Sequence, residues 1–550
     1  MVTYRIAAND GRAHRYHVTL VLERPAAGQK LSLPVWIPGS YLVREFARHL
    51  SGLRALQGGR PVSLRQLDKA TWQAATEGDE SRGVAELVVE YDVYAFDTSV
   101  RAAFLDTERG FFNGTSLLLR VEGAEAQPQR LELRELPAGW RVATTLDPLE
   151  VDADGRGVYG AADYDELVDH PVEIGRFWRG DFTAAGVPHA FVVAGALPDF
   201  DAERLLTDAA RVCEAQIAFW HGAREGADAE LPPFERYLFL LNAVDEGHGG
   251  LEHRASTALV AARRDLPRRP PPGVDKADAS DGTVGLLGLV SHEYFHAWNV
   301  KRLKPREFTS YDYSRENYTQ LLWFFEGFTS YYDDLFLVRA GLVDEARYLK
   351  LLARTVSNVA AAPGRQVQSV AASSFDAWVK YYRGDENTPN ATVSYYAKGA
   401  LVALALDLTL RTAGTGSLDA VLRRLWQQSR GGPIDEADIA AALEAVSGRS
   451  YAGELAAWVH GTGELPLRSL LEAAGVEWQA TPPTVAQRLG VRASESALTG
   501  VKATHVLRGG AAEAAGIAAG DELLALGGWR LRRLEDAARL VQPGARAPLL

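Results

Sequence analysis

Ser291-His292-Glu293-Tyr294-Phe295-His296-Ala297-Trp298 places two imidazoles four residues apart, with a carboxylate directly after the first. On a helix, positions four apart share one face about a turn apart, so both rings can converge on one divalent metal while Glu293 projects beside them. Neutral imidazole is a good zinc ligand, and a catalytic zinc site keeps one position open for water. Glu293 is then placed to take a proton from that water and hand it to a leaving amine. The pattern fixes only three positions and arises by chance in long chains, so its surroundings have to decide.

The surroundings agree. Val284-Gly285-Leu286-Leu287-Gly288-Leu289-Val290 leads into the motif as an apolar run, which predicts a largely buried helix. A buried His-Glu-His cluster without a metal would be costly to desolvate. Downstream, Leu321-Leu322-Trp323-Phe324-Phe325-Glu326-Gly327-Phe328-Thr329-Ser330-Tyr331-Tyr332 carries one carboxylate inside an aromatic run that reads as a second buried helix. Glu326 needs a cationic partner there, and a zinc shared with His292 and His296 meets the need; a core ion pair with Arg or Lys is the alternative.

At 550 residues the chain exceeds one hydrophobic core, and usual domain sizes point to about three units. Apolar residues at 47% and charged residues at 24% are ordinary for a globular chain, so disorder is not expected. A net charge of −12 argues against a nucleic-acid partner or an anionic membrane surface, since both favour a basic face. Cys213 is the single cysteine, so neither an intramolecular disulfide nor a thiolate zinc site is expected. Met1-Val2-Thr3-Tyr4-Arg5-Ile6 enters strand-like sequence with no apolar signal core, and no run approaches a membrane span; a cytoplasmic protein is the expectation. Asn113-Gly114-Thr115 therefore carries no weight as a glycosylation site.

The chain changes character twice. Residues 1–172 read as strands, with two-residue alternation in Tyr16-His17-Val18-Thr19-Leu20-Val21-Leu22 and Ala85-Glu86-Leu87-Val88-Val89-Glu90-Tyr91, and predict an antiparallel β-sandwich-like domain. Residues 173–468 mix α and β: a strand at 191–195, an amphipathic helix from Asp201 to Trp220, a strand at 236–241, a Pro- and Asp-rich exposed loop over 266–281, then mostly helix. Residues 469–550 differ again. Val506-Leu507-Arg508-Gly509-Gly510-Ala511-Ala512-Glu513-Ala514-Ala515-Gly516-Ile517 followed by Gly520-Asp521-Glu522-Leu523-Leu524 resembles a PDZ domain of the bacterial protease-associated type. By that resemblance Leu489-Gly490-Val491 matches the loop whose amides receive a peptide carboxyl terminus, with strand addition as the binding mode. The alternative is an appendage that only packs on the rest. The chain stops at Leu550, before the closing strand such domains usually have, so a shortened domain is expected.

Gly249-Gly250-Leu251-Glu252-His253 and Ser394-Tyr395-Tyr396-Ala397-Lys398-Gly399-Ala400 are each weak alone. In this order around the His-Glu-His motif and Glu326-Gly327-Phe328-Thr329, they look like the gluzincin aminopeptidases. That resemblance implies a Gly-x-x-Glu strand lying along the substrate backbone, with Glu252 on the free α-amine and Gly249, Gly250 and His253 beside it. It also implies that Tyr396 donates to the tetrahedral oxyanion. Preorganised donors of that kind contribute roughly 2.7–4 kcal/mol. Most specifically, the chain resembles the bacterial glycyl aminopeptidases with a C-terminal PDZ domain. The likeness runs through Pro34-Val35-Trp36-Ile37-Pro38-Gly39-Ser40-Tyr41, His296-Ala297-Trp298-Asn299-Val300-Lys301-Arg302 and Ser374-Phe375-Asp376-Ala377-Trp378-Val379-Lys380-Tyr381-Tyr382.

The family implies a multidomain α+β protein whose central part is a thermolysin-like, mostly helical zinc peptidase domain. It further implies one zinc per chain on His292, His296 and Glu326, Glu293 as base and then acid, and removal of small N-terminal residues such as Gly and Ala from peptides with a free N-terminus. Two departures stand out. The distance from His296 to Glu326 requires an inserted loop over Leu303 to Asn317, and His253 stands where better-known relatives carry Asn. Asp333, on the face of Glu326, is a candidate to receive the second N–H of a zinc imidazole, while Trp298 and Asn299 either line the cleft or cap the motif helix. Two rivals remain at this point: an endopeptidase guided by the PDZ domain, and a non-catalytic PDZ adaptor on a peptidase scaffold.

Overall fold

The computed structural model describes residues 1–77, 85–222, 231–270, 279–496, 500–542 and 544–550. They form two compact units, Met1–Asn317 with Asp333–Asp344 and Gly431–Pro433, and Tyr318–Tyr332 with Glu345–Arg430 and Ile434–Leu550. Of the expected 266–281 loop, residues 271–278 lie outside the described residues. Among the described residues no helix is long and apolar enough to cross a membrane.

In the first unit the period-two pattern becomes sheet. Val2, Tyr4, Ile6 and Ala8 of the strand Val2–Asp10 all point inward. This strand lies inside an eight-stranded sheet ordered Asp147–Val151, Gly157–Ala161, Gln129–Glu135, Val2–Asp10, Arg15–Leu22, Leu87–Tyr94, Leu50–Gln57, Arg60–Val62. The expected antiparallel pairing holds except between Val2–Asp10 and Gln129–Glu135, which run parallel. Two smaller four-stranded sheets complete this β region. Its core is tied together by buried tyrosines: Tyr4, Tyr91 and Tyr164 donate to the carbonyls of Leu119, Leu117 and Leu118 at 2.7, 2.8 and 2.7 Å. Each ring thus brings apolar area inward without leaving its hydroxyl unpaired.

A second, five-stranded sheet in the same unit has the order Trp178–Ala184, Val187–Ala194, Tyr237–Val244, Ser256–Ala262, His248–Glu252. Its three middle strands are parallel and almost wholly buried, which explains their unbroken apolar runs. His248–Glu252 closes the sheet as an antiparallel edge strand. The helix Ala202–His221 starts where Asp201 accepts the Arg204 N–H at 3.1 Å, and it buries Leu205, Val212, Cys213 and Ile217. The motif helix Asp281–Phe295 starts at Ser280, whose hydroxyl accepts the Thr283 N–H at 3.0 Å. It is buried nearly all round, so it shows no amphipathic stripe.

The second unit is mostly helical, with Glu345–Ala360, Ala397–Thr412, Leu418–Ser429 and Glu436–Ser447 as its long elements. Asp407, 3% exposed, shows how it tolerates an internal carboxylate. Tyr331 Oη, Arg411 Nε and the Leu418 N–H donate to it at 2.7, 2.8 and 2.7 Å. The C-terminal part carries the three-stranded sheet Val491–Ser496, Gly500–Val506, Glu522–Leu523 over a small core of Val485, Val501, Ala503 and Leu523. Asn390 reaches this part from the helical region, donating to the Val506 carbonyl at 2.9 Å and accepting from the Arg508 N–H at 2.8 Å.

Candidate active site

The motif helix ends at Phe295, and His296 follows as its C-cap residue, still in helical conformation (φ −61°, ψ −18°). The two imidazoles therefore stay on one face, ring centroids 4.7 Å apart and planes at 86°. The aromatic run around Glu326 folds as two helical segments, Leu322–Phe325 and Gly327–Arg339, meeting at Glu326. The backbone ladder continues through it: Glu326 N–H donates to Leu322 O and Ser330 N–H donates to Glu326 O, both at 2.8 Å. One ligand atom from each of His292, His296 and Glu326 lies within 4.8 Å of the others.

The imidazole tautomers suit a metal. His292 Nδ1–H donates to Asp333 Oδ2 at 3.0 Å, and His296 Nδ1–H donates to the Asn299 carbonyl at 2.6 Å. Each ring thereby presents Nε2 as its metal donor, fixed in orientation. Two imidazoles and one carboxylate are a donor set that zinc takes with a position left open. Burial pushes the Asp333 carboxyl up, and the His292 hydrogen bond works against that push. Asp333 also accepts the Ser291 hydroxyl on its backbone oxygen at 2.9 Å, while Gln216 Nε2 donates to Ser291 O at 2.8 Å.

Glu293 is 5% exposed and faces the edge strand His248–Glu252. A β-carbon added at Gly250 would overlap Oε1, Cδ and Cγ of Glu293, so the strand backbone runs directly against this carboxylate. Arg101 Nη2 holds the Gly250 carbonyl at 3.3 Å. At the end of the strand Glu252 is 4% exposed, and its Oε1 has no hydrogen-bond partner. The Pro38-Gly39 turn covers it: a β-carbon at Gly39, where φ is +91°, would lie 2.6 Å from Glu252 Oε2.

His253 is 1% exposed, with Nδ1 3.6 Å from Asp169 Oδ1. Asp169 also pairs with Lys301 Nζ at 2.5 Å and accepts the Arg254 N–H at 2.9 Å. Burial by itself would raise this carboxyl, but Lys301, His253 and Arg254 outweigh it and hold it well below its ordinary range. The space beside this knot is only about 10 Å³, room for about one water. Trp298 and Asn299 do not line a cleft: Trp298 is fully buried and donates to His221 Nε2 at 2.8 Å, and Asn299 serves His296.

In the second unit Tyr396 is half-buried at the start of the helix Ala397–Thr412, which meets the Glu326 segment at Gly327 and Gly399. Burial and then the Glu326 charge push its phenol well above the usual value, so at neutral pH it is an O–H donor. Tyr382 Oη lies 3.2 Å from Tyr396 Oη, presented by a π-helical turn over Ala377–Tyr381. Leu489, Gly490 and Val491 stand where a helix over Val485–Leu489 turns into the sheet's edge strand, with Gly490 left-handed (φ 68°).

Sequence reading missed Asp169, Lys301, Arg101 and Gly39 as neighbours of the Glu252 strand. Lys301 and Gly39 lay inside stretches already singled out; for Asp169 and Arg101 no local signal existed, because their partners are remote in the chain.

The peptidase model described as M61 glycyl aminopeptidase matches residues 285–402, its N-terminal domain model residues 3–176, and a PDZ domain model residues 503–550. Leu489, Gly490 and Val491 precede that last match. Among curated proteins no match was found. A solved aminopeptidase N family protein from Idiomarina loihiensis is similar over 100% of this chain and 93% of its own, with 36% identity and a TM-score of 0.91. An M1 zinc metallopeptidase from Deinococcus radiodurans, solved as a variant with a Tyr-Ser-Ala substrate, shares the fold at 14% identity and a TM-score of 0.50, covering 85% of this chain and 94% of its own. With a relative matching end to end and both peptidase models in register with the site, the chain belongs to the M61 glycyl aminopeptidase family, an aminopeptidase-type metallopeptidase.

Proposed function

We propose that this chain removes single small residues, Gly and Ala above others, from the free N-terminus of peptides, using one zinc held by His292, His296 and Glu326. The observation that carries the aminopeptidase reading is Glu252: a nearly buried carboxylate with a hydrogen-bonding oxygen unused, on an edge strand whose Gly250 touches Glu293. A substrate α-ammonium supplies the charge this oxygen lacks. The edge strand supplies backbone pairing for an extended peptide. The Pro38-Gly39 turn lies directly over the Glu252 carboxylate, and the small-residue preference itself rests on the family resemblance.

Zinc at this site would polarise the scissile carbonyl and acidify a water. Glu293 takes the proton of the attacking water and returns it to the departing amine. Tyr396 donates its hydroxyl proton in a hydrogen bond to the oxyanion, and Tyr382 orients that hydroxyl. Glu252 sets the register, so that the first peptide bond is the one presented. In this reading the chain divides into a β domain over 1–172, the catalytic domain over 173–468 and a PDZ domain over 469–550. Leu489, Gly490 and Val491 would receive peptide carboxyl termini beside the open strand Val491–Ser496.

The test compares Ala-Ala-Phe-anilide, with a free amine, against the same peptide acetylated, for the wild type and Glu252→Gln. We expect the wild type to reject the acetylated peptide and Glu252→Gln to lose at least a hundredfold in kcat/KM on the free one. Equal cleavage of both by the wild type would make the enzyme an endopeptidase.

A further inference from the structure

The second unit contains a cavity of about 220 Å³, formed by the helices Glu345–Ala360 and Ala397–Thr412 and the segment Glu464 to Trp478. Its walls are Val356, Val359, Leu401, Leu467 and Trp478, and its polar end holds Arg365, Lys398 and Glu464. A cavity of about 150 Å³ with apolar walls accepts benzene, so this space takes a group of that size with polar atoms attached.

Lys398 is the unusual member. It is 3% exposed, and the hydrogen bond its Nζ makes is a long one, to the Arg365 carbonyl at 3.4 Å. Glu464, the carboxylate in the lining, is committed to Arg365, whose Nε lies 3.0 Å from its Oε1. The third cation of the lining, Arg468, is paired with Glu472 at 2.9 Å on the exposed rim. An ammonium buried to this degree without a carboxylate is costly. Burial pulls its pKa below the ordinary lysine value, with Glu464 and Arg365 acting in opposite directions. With Arg365 on Glu464 and Arg468 on Glu472, the cation of the lining left without a carboxylate is Lys398, a charge that a single anion would meet.

We propose that this cavity is a binding site for a small monocarboxylate with an apolar body, its carboxylate on Lys398 and its hydrocarbon part against Val359, Leu401 and Trp478. The charge-assisted bond replaces a weak carbonyl contact, and the apolar walls discriminate against polar anions. Lys398 lies two residues beyond Tyr396 at the start of the same helix.

Calorimetric titration of the full-length zinc-loaded protein with 3-phenylpropionate, 3-phenylpropionamide and L-phenylalanine tests this. We expect the acid to bind one-to-one and at least tenfold more tightly than the amide, and Lys398→Met to remove that difference. Val359→Trp fills the cavity and should abolish binding while leaving the lysine in place, which covers the case of a poorly folded Lys398→Met. L-phenylalanine binding more tightly than the acid supports the site and assigns it to a free amino acid; the reverse order supports it and assigns it to an acid lacking an ammonium. Equal binding of acid and amide overturns the proposal. So does acid binding that survives both variants and disappears on removal of zinc, since the ligand then sits on the metal.

Discussion

Gly250 lies so close against Glu293 that any β-carbon at residue 250 would occupy the space of the carboxylate. The strand proposed to guide the substrate and the helix that carries Glu293, the proposed general base, thus share one contact, and only a hydrogen atom fits in it. Gly250→Ala has to push Glu293 aside by about an ångström, and displacements of that size cost roughly a hundredfold in rate. We expect kcat to fall by about that factor with zinc content unchanged. Zinc by atomic absorption and kcat on a Gly-anilide decide it: a fully active Gly250→Ala enzyme would mean that the strand moves away freely.

Asp333 fixes His292 through Nδ1 at 3.0 Å without touching the metal position itself. Partners of this kind set ring orientation and ligand basicity, and losing one costs about 10- to 100-fold in metal affinity. Asp333→Ala should therefore weaken zinc binding by that factor in a chelator competition, while Glu326→Ala, which removes a proposed ligand, should lose the metal outright. Identical zinc affinity in Asp333→Ala and wild type would remove Asp333 from the site.

Local spacing made His292, Glu293 and His296 readable, because a helix fixes what lies on one face four residues on. Glu326 was readable for a different reason: a carboxylate in an aromatic run has to be paid for by a cation. Helical spacing from Glu326 picked out Asp333 as a candidate acceptor for a zinc imidazole. What pairing of distant segments creates was not readable. Nothing around Val2 reveals that it runs parallel to Gln129, and nothing around Asp169 reveals that it gathers Lys301, His253 and Arg254. Gly39 could be seen as part of a distinctive stretch, but its closeness to Glu252 follows from the packing of a turn on a sheet edge. His253 stands beside Asp169 in the fold, a neighbour that its place after Glu252 in the sequence does not reveal.

Tyr396 can be isolated from the metal. Phe at this position keeps the ring stacked near Tyr381 and Tyr395, whose centroids lie 5.6 and 4.7 Å away, and deletes only the hydroxyl. If that hydroxyl stabilises the oxyanion, Tyr396→Phe loses about 10²–10³ in kcat. KM and zinc content should change little, because the hydroxyl acts in the transition state and not in ground-state binding. Steady-state kinetics on the purified variant check this, and a loss confined to KM would reassign Tyr396 to substrate binding.

His189 links the motif helix to acid stability. It is 2% exposed, its Nδ1–H donates to the Val187 carbonyl at 2.8 Å, and Tyr294 Oη, from within the motif, donates to its Nε2 at 2.8 Å. This arrangement needs the neutral ring, and burial lowers the pKa from 6.5 to about 4. The unfolded chain takes up the proton from about pH 6.5, the folded one only near 4, so the stability contribution is intact above 6.5, declines as pH falls and is exhausted below 4. A gap of that size corresponds to about 3 kcal/mol. His170, also lowered to about 4 by burial, acts in the same window, and burial lowers His49 as well, so His189 is not alone in this transition. His189→Gln should be less stable than wild type at pH 8, and its Tm should then fall less steeply between pH 6.5 and 4. Parallel Tm curves for the two proteins across that range would show that His189 enters the acid transition already protonated.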